Sequence, residues 1–286
     1  MLIREVAVKR ILIVGAGSAG TMMANHLVKK VDLKQWKITV VDQHKTHYYQ
    51  PGFLFIPFGT YSKKDVCKPK ADFIPASVEY IQQGVDRIKA GENCILLEGG
   101  TQLDYDILII ATGSRIVPDE IAGLTGEGWM KDAFDFYTIE GAMALAERLK
   151  TFEGGKLVVH LCEMPIKCPV APLEFTLLAD AFLRKKGIRD KTELIYVSPL
   201  SEAFTKHNCS VVLGGMLKDK KIHFEADFAV EHVDGAAKKI VSFDEREVDY
   251  DLLVSIPTNM GDEVIERSGL GDDLNFIPTH KHTLQS

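Results

Sequence analysis

The stretch Arg10–Gly20, RILIVGAGSAG, leaves the chain few ways to fold. Ile11, Leu12, Ile13 and Val14 form an unbroken aliphatic run, as expected of a central parallel strand buried on both faces. Gly15, Gly17 and Gly20 then fit G-x-G-x-x-G, and Thr21–Lys30 has the helical composition that completes a strand–turn–helix unit. The first glycine permits a tight turn, the second lets a pyrophosphate approach the backbone, and the third lets helix and strand pack closely. The free N–H groups and positive end of the helix supply an anion site, with Ser18 and Ala19 in its first turn. A glycine-rich turn can be nothing more than a turn, but here its context extends the pattern. Trp36–Val41 reads as a second strand ending at Asp42, where a ribose hydroxyl needs an acceptor. An acid at that point disfavours a 2′-phosphate and leaves FAD or NAD.

At 286 residues the chain is long enough for two domains with cores of their own. The formal net charge is −6, with both signs mixed along the sequence, so no basic stripe points to nucleic acid. No apolar run approaches the ~20 residues of a membrane-spanning helix. Met1–Lys9 lacks the pattern of a secretory signal, so the chain is expected to be cytoplasmic or to face the cytoplasm. Five cysteines at irregular spacing argue against a disulfide framework, and no C-x-x-C pair suggests zinc. His280 and His282 read as an exposed tail, and no metal is expected.

His44–Tyr61, HKTHYYQPGFLFIPFGTY, is broken by Pro51, Gly52, Pro57 and Gly59 and cannot be one regular element. Its rings could contact a flat cofactor, or Phe53, Phe55 and Phe58 could be ordinary core. Val78–Gln82, Val85–Lys89, Cys94–Glu98 and Gln102–Tyr105 read as a β-meander. Tyr105–Gly113 is a further buried strand, ending in small residues that allow close approach of a ligand.

The glycine turn followed by YDILIIATGS at Tyr105–Ser114 resembles the flavoproteins with two dinucleotide-binding domains, which include disulfide reductases and NADH dehydrogenases. The resemblance implies FAD in the first domain, with Gly15, Gly17, Ser18, Ala19, Gly20, Asp42, Gln43, Thr112 and Gly113 as cofactor-binding positions.

A second round begins with an amphipathic helix at Thr138–Lys150 and a strand at Lys156–Leu161. Val248–Pro257, VDYDLLVSIP, echoes Leu103–Gly113, LDYDILIIATG, as an internal repeat. A nicotinamide site in this second unit needs another glycine turn. The residues there are Cys162-Glu163-Met164-Pro165-Ile166-Lys167-Cys168-Pro169-Val170-Ala171-Pro172, with no glycine and three prolines. A pyrophosphate would meet side chains and missing N–H donors. Pro172 suits the first turn of a helix running to Lys186, with Leu173, Leu177, Ala181 and Phe182 on its inner face. Cys168, just before that helix and beside Lys167, is placed to favour its nucleophilic thiolate form. Cys162, at the end of an apolar strand, reads as a buried small residue.

PIKCPVAPLEF closely resembles the turn that carries a redox cysteine in the sulfide:quinone oxidoreductases and related sulfide dehydrogenase flavoproteins. That resemblance covers the whole chain. It implies that Cys168 is catalytic and carries sulfide sulfur as a persulfide, that FAD takes the electron pair, and that quinone is the acceptor. Such enzymes also have a later strand with a Gly-Asp motif, a partner cysteine and a membrane-docking C-terminal region. Here the sequence stops at Ser286, before all three are expected, so weak FAD retention and peripheral membrane association only in a longer form are implied. The expected fold is α/β, with two Rossmann-like dinucleotide-binding-type domains bearing β-meander insertions, the first lacking its C-terminal closing segment. The expected boundaries are 1–125 for the FAD domain, 126–256 for the domain with the cysteine turn, and 257–286 for a return segment. An NADH:quinone dehydrogenase-like flavoprotein and a non-catalytic remnant are the alternatives.

Overall fold

The computed structural model describes residues 7–286. Met1–Val6, most of the stretch inspected above for a leader, lie outside the described residues. The chain divides into two compact units. One takes the chain up to Tyr48, Cys67–Arg115 and Met260–Ser286, and the other takes Tyr49–Val66 and Ile116–Asn259. The units are therefore interleaved along the sequence, where a contiguous division at 125 and 256 was expected. Burial explains both departures. Phe53, Leu54 and Ile56 sink into the second unit, and Val264 and Ile265 return to the core of the first.

The first unit is built on β1 (Lys9–Val14), α1 (Ser18–Leu27) and β2 (Trp36–Val41). With β5 (Glu79–Ile81) and β9 (Ile107–Ile110) they form a parallel sheet of order β5-β2-β1-β9. The aliphatic run of β1 serves two faces at once. Ile11 and Ile13 pack with Ala24, Ile38 and Val40, whereas Leu12 and Val14 pack with Ile88, Ile95 and Leu97. Alternate side chains point to opposite sides of a strand, so a strand covered on both faces must be apolar throughout.

A three-stranded antiparallel meander follows, β6 (Val85–Lys89), β7 (Cys94–Leu97) and β8 (Gln102–Asp104). The expected fourth member, Val78–Gln82, supplies β5 of the parallel sheet instead. Glu79 there accepts a hydrogen bond from the Thr39 hydroxyl at 2.9 Å and pairs with Lys37 at 3.0 Å, both on β2. A short antiparallel pair, β3 (Thr46–Tyr48) and β4 (Cys67–Pro69), brackets the excursion into the second unit. In the return segment α6 (Glu263–Ser268) lies on the meander, with Arg267 donating to the Asp86 and Val85 carbonyls and the Ser268 hydroxyl accepting from the Ile88 amide.

The second unit repeats the plan. It contains α2 (Lys63–Val66), β11 (Ala133–Phe134), α3 (Ile139–Thr151), β12 (Gly155–Leu161), α4 (Ala171–Lys186) and β13 (Thr192–Val197). It continues with α5 (His207–Asp219), β14 (His223–Glu225), β15 (Val230–Asp234), β16 (Lys239–Ser242), β17 (Glu247–Asp249) and β18 (Leu252–Ile256). Two short strands, β10 (Ser114–Ile116) and β19 (Asn259–Gly261), lie where the chain passes from one unit to the other. The parallel sheet has order β11-β18-β12-β13-β14, and β15-β16-β17 form the second meander. Strands β12, β13, β14 and β18 thus hold the places of β1, β2, β5 and β9.

Helix α4 is rotated from the face expected of it. Phe175, Thr176, Ala179 and Leu183 are buried beside Leu173, while Ala181 is exposed. The aromatic loop turns one of its rings inward on this helix, with Phe58 against Phe175 and Phe182 at ring separations of 5.0 and 5.8 Å. Phe53 is 4% exposed. Phe53 is thus core of the second unit, and Phe58 is half-buried against α4.

Candidate functional site

In the first unit, β1 ends at Val14 and the chain turns at Gly15, whose φ of +99° favours glycine. A Cβ on Gly15 would lie 2.4 Å from the Ala111 carbonyl oxygen, at the end of β9, and one on Gly20 would lie 1.8 Å from the Gly15 oxygen. Gly17 differs. A Cβ there would meet nothing within 4 Å, so the space above it is open. Gly17 is also the N-cap of α1, and no side chain caps that end, which leaves first-turn N–H groups available to an anion. Ser18 and Ala19 are exposed in that turn. Thr112 and Gly113 follow β9 beside the glycine turn, Gly113 with a φ of +77°. The residues expected around a dinucleotide are thereby brought together at the carboxyl ends of β1, β2 and β9, where open α/β sheets bind ligands.

Asp42, at the end of β2, accepts the Ala16 amide on Oδ2 at 2.7 Å and the His44 amide on Oδ1 at 2.7 Å. Its Oδ2 also pairs with the Lys70 ammonium. Lys70 is only 6% exposed, and sequence reasoning missed it. It lies 28 residues beyond Asp42, and the β3–β4 pairing brings it back. Gln43 is exposed beyond the acid.

In the second unit the loop after β12 carries Cys168, exposed and three residues before α4. Its backbone is held in place. The Cys168 carbonyl accepts the Ala171 amide at 3.1 Å and the Tyr137 hydroxyl at 3.0 Å. The neighbouring Lys167 amide donates to Asn259 Oδ1 at 3.1 Å, and Lys167 Nζ reaches Gln50 Oε1 at 3.4 Å. Glu163 accepts the Thr258 hydroxyl at 3.1 Å. Burial, then the adjoining Cys168 sulfur, push the Tyr137 phenol well above its ordinary pKa, so it stays a neutral donor. Tyr137 was also missed by sequence reasoning, because it lies 31 residues from the cysteine it holds.

Cys162 is of another kind. It is buried, with its sulfur 3.2 Å from Ser255 Oγ and 3.5 Å from His160 Nδ1. Burial pushes its thiol up to about 12 and His160 down to about 3, so neither is charged at neutral pH. A thiol so held is no nucleophile. Cys94 is buried in β7 and Cys209 is exposed on α5.

The second unit also lacks the acid of the dinucleotide pattern. Ser198 follows β13 as Asp42 follows β2, and it is fully buried, with its hydroxyl accepting the Leu200 amide at 3.2 Å. Both the glycines and the ribose acceptor are therefore replaced here.

The pyridine nucleotide-disulphide oxidoreductase family profile matches residues 9–160. The chain belongs to this family. Its members of this type are FAD-binding oxidoreductases, and FAD is the cofactor. The residues present fit it, since the Gly17 space is open and the α1 terminus uncapped. Within the family the chain is 30% identical over 284 residues to the mitochondrial sulfide:quinone oxidoreductase of Dictyostelium discoideum, covering 97% of this chain and 62% of that protein. It is 28% identical to a type II NADH:quinone oxidoreductase of Staphylococcus haemolyticus, over 50% of this chain and 34% of the other. The solved sulfide:quinone oxidoreductase of Aquifex aeolicus matches in fold with a TM-score of 0.80 at 20% identity, covering 93% of this chain and 63% of that one. The family member described here thus spans less than two thirds of these relatives. Among its described residues no helix is long and apolar enough to cross a membrane.

Proposed function

We propose that this chain is the flavin- and thiol-bearing part of a sulfide:quinone oxidoreductase, with Cys168 as the sulfur-carrying residue. The observation that carries this reading is the replacement of the second dinucleotide turn by an exposed, backbone-anchored cysteine. The proposed half-reaction joins HS⁻ to the Cys168 thiol as a persulfide, forming one S–S bond, breaking two S–H bonds and releasing two protons and two electrons. FAD supplies, when bound, a two-electron acceptor, and quinone is the terminal one.

The chain's own contribution is placement. Pro169 and Pro172 restrict the backbone around Cys168, and the Ala171 amide and Tyr137 hydroxyl fix its carbonyl. Gly15, Gly17, Ser18, Ala19, Gly20, Asp42, Gln43, Thr112 and Gly113 are the proposed FAD contacts. Sulfide and quinone are the proposed substrates of the whole protein, of whose Dictyostelium relative this chain covers 62%.

The test is an anaerobic visible spectrum of the FAD-loaded chain on addition of sulfide, beside Cys168→Ser. Flavin bleaching in the wild type that is lost in Cys168→Ser, with FAD still bound, is the expected result. Equal bleaching in both removes Cys168 from the reaction. An NADH:quinone oxidoreductase is the second reading, favoured by the Staphylococcus haemolyticus relative over half of the chain. Against it stand the glycine-free turn and Ser198.

A further inference from the structure

We propose that Lys70 is a second ribose-recognising residue, and that Asp42 and Lys70 together read the hydroxyls of the adenosine ribose as one acceptor–donor pair. This rests on the FAD reading of the first unit. A lysine with a side chain 8% exposed, paired to a carboxylate 10% exposed, is an unusual feature for a fold to keep. Buried ion pairs lose much of their attraction to desolvation and are weak stabilisers of a fold. Their strength lies in fixing position.

Counting lone pairs and protons assigns the rest. An ionised carboxylate offers about four acceptor positions. On Asp42, Oδ2 takes the Ala16 amide and the Lys70 ammonium, and Oδ1 takes the His44 amide, which leaves one position on Oδ1 for a hydroxyl. The Lys70 ammonium makes one bond among the described residues, to Asp42, and keeps two N–H donors. Its backbone is anchored by its own amide to the Lys45 carbonyl at 2.8 Å. A diol beside this pair finds an acceptor and a donor already ordered, so little entropy remains to be lost on binding. Ala16 sits between Gly15 and Gly17, so the same carboxylate ties the ribose end to the phosphate turn.

With Asp42 accepting the 2′-hydroxyl, Lys70 donates to the 3′-oxygen, so the experiment titrates apoprotein with FAD and with its 3′-deoxyadenosine analogue, following flavin fluorescence, for the wild type and Lys70→Met. Losing one partner of a charged hydrogen bond weakens FAD binding by about 10- to 100-fold. The expected signature is selective. The wild type prefers FAD to the deoxy analogue, and Lys70→Met binds the two within about 3-fold of each other, because the charged hydrogen bond to the ribose hydroxyl is gone. Equal weakening of both ligands, or no weakening, overturns the proposal. Should Lys70→Met not fold, as judged by circular dichroism, Lys70→Gln is read for the same ratio. A wild-type chain that binds neither ligand sinks the FAD reading and not the ribose assignment alone, so the two failures are distinguishable.

Discussion

Asp180 has no exposed side-chain surface, yet three cations converge on it: Arg189 at 2.7 Å, Arg184 at 2.9 Å and Lys220 at 3.1 Å. Burial alone raises a carboxyl pKa, but here the three hydrogen bonds outweigh it and hold Asp180 at about 2 against an ordinary 3.8. A folded-state pKa below the unfolded value means that the stabilisation is complete above the unfolded value and is lost as pH falls through the folded one. Asp180 therefore contributes roughly 2 kcal/mol, lost between about pH 4 and 2. Asp180→Asn is expected to cost about 2–4 kcal/mol at neutral pH and to flatten the acid limb of the urea-denaturation profile between those values. Tyr137 invites a different measurement, because its hydroxyl touches the proposed nucleophile's backbone. Tyr137→Phe is expected to change stability by about 1 kcal/mol or less. Sulfide-driven flavin bleaching is expected to slow about 10-fold, since a displaced reacting atom is costly. A normal bleaching rate in Tyr137→Phe removes the phenol from the placement of Cys168.

At the level of elements, the turn from β1 to α1 separates two duties that one motif conceals. Gly20 is required by packing, as its Cβ would overlap the Gly15 oxygen, whereas no packing contact requires a glycine at Gly17, and the space above it is open. Gly20→Ala is expected to lower the melting temperature of apoprotein and loaded protein alike. Gly17→Ala is expected to leave the apoprotein's melting temperature within about 2 °C, consistent with a surface change of under 0.5 kcal/mol, while weakening FAD at least tenfold. This unit was legible because its signals are local: an apolar run, spaced glycines and an acid after the next strand. Val78–Gln82 was not, because a three-residue strand looks the same in a meander as in a parallel sheet, and its partner on β2 decides between them. The inner face of α4 was misread for a related reason. Several apolar stripes are available on it, and contacts such as Phe58 with Phe175 choose among them. Lys70 and Tyr137 carried no signal at all, each being brought to its site by pairing over a long stretch of chain.

Across the whole molecule, one plan is used twice and diverges at the turn after the first strand and at the residue after the second. The echo of LDYDILIIATG in VDYDLLVSIP was visible in the sequence, and it corresponds to β9 and β18 at equivalent places in the two sheets. The interleaving of the units was not visible, because membership of Tyr49–Val66 and Met260–Ser286 depends on which core receives their apolar side chains. The divergence itself has a functional corollary. A phosphate-binding turn needs close backbone approach and N–H donors, and the second unit offers prolines, Glu163 and a cysteine there, with buried Ser198 where the ribose acid should stand. NADH at concentrations up to about 1 mM, the upper range of ordinary KM values, is therefore expected to leave the flavin absorbance of the FAD-loaded chain unchanged under anaerobic conditions. Sulfide is expected to bleach it. Rapid bleaching by NADH, with sulfide inert, would mean that a nicotinamide dinucleotide is accommodated without the glycines and the acid, and would transfer the assignment to the NADH:quinone oxidoreductases.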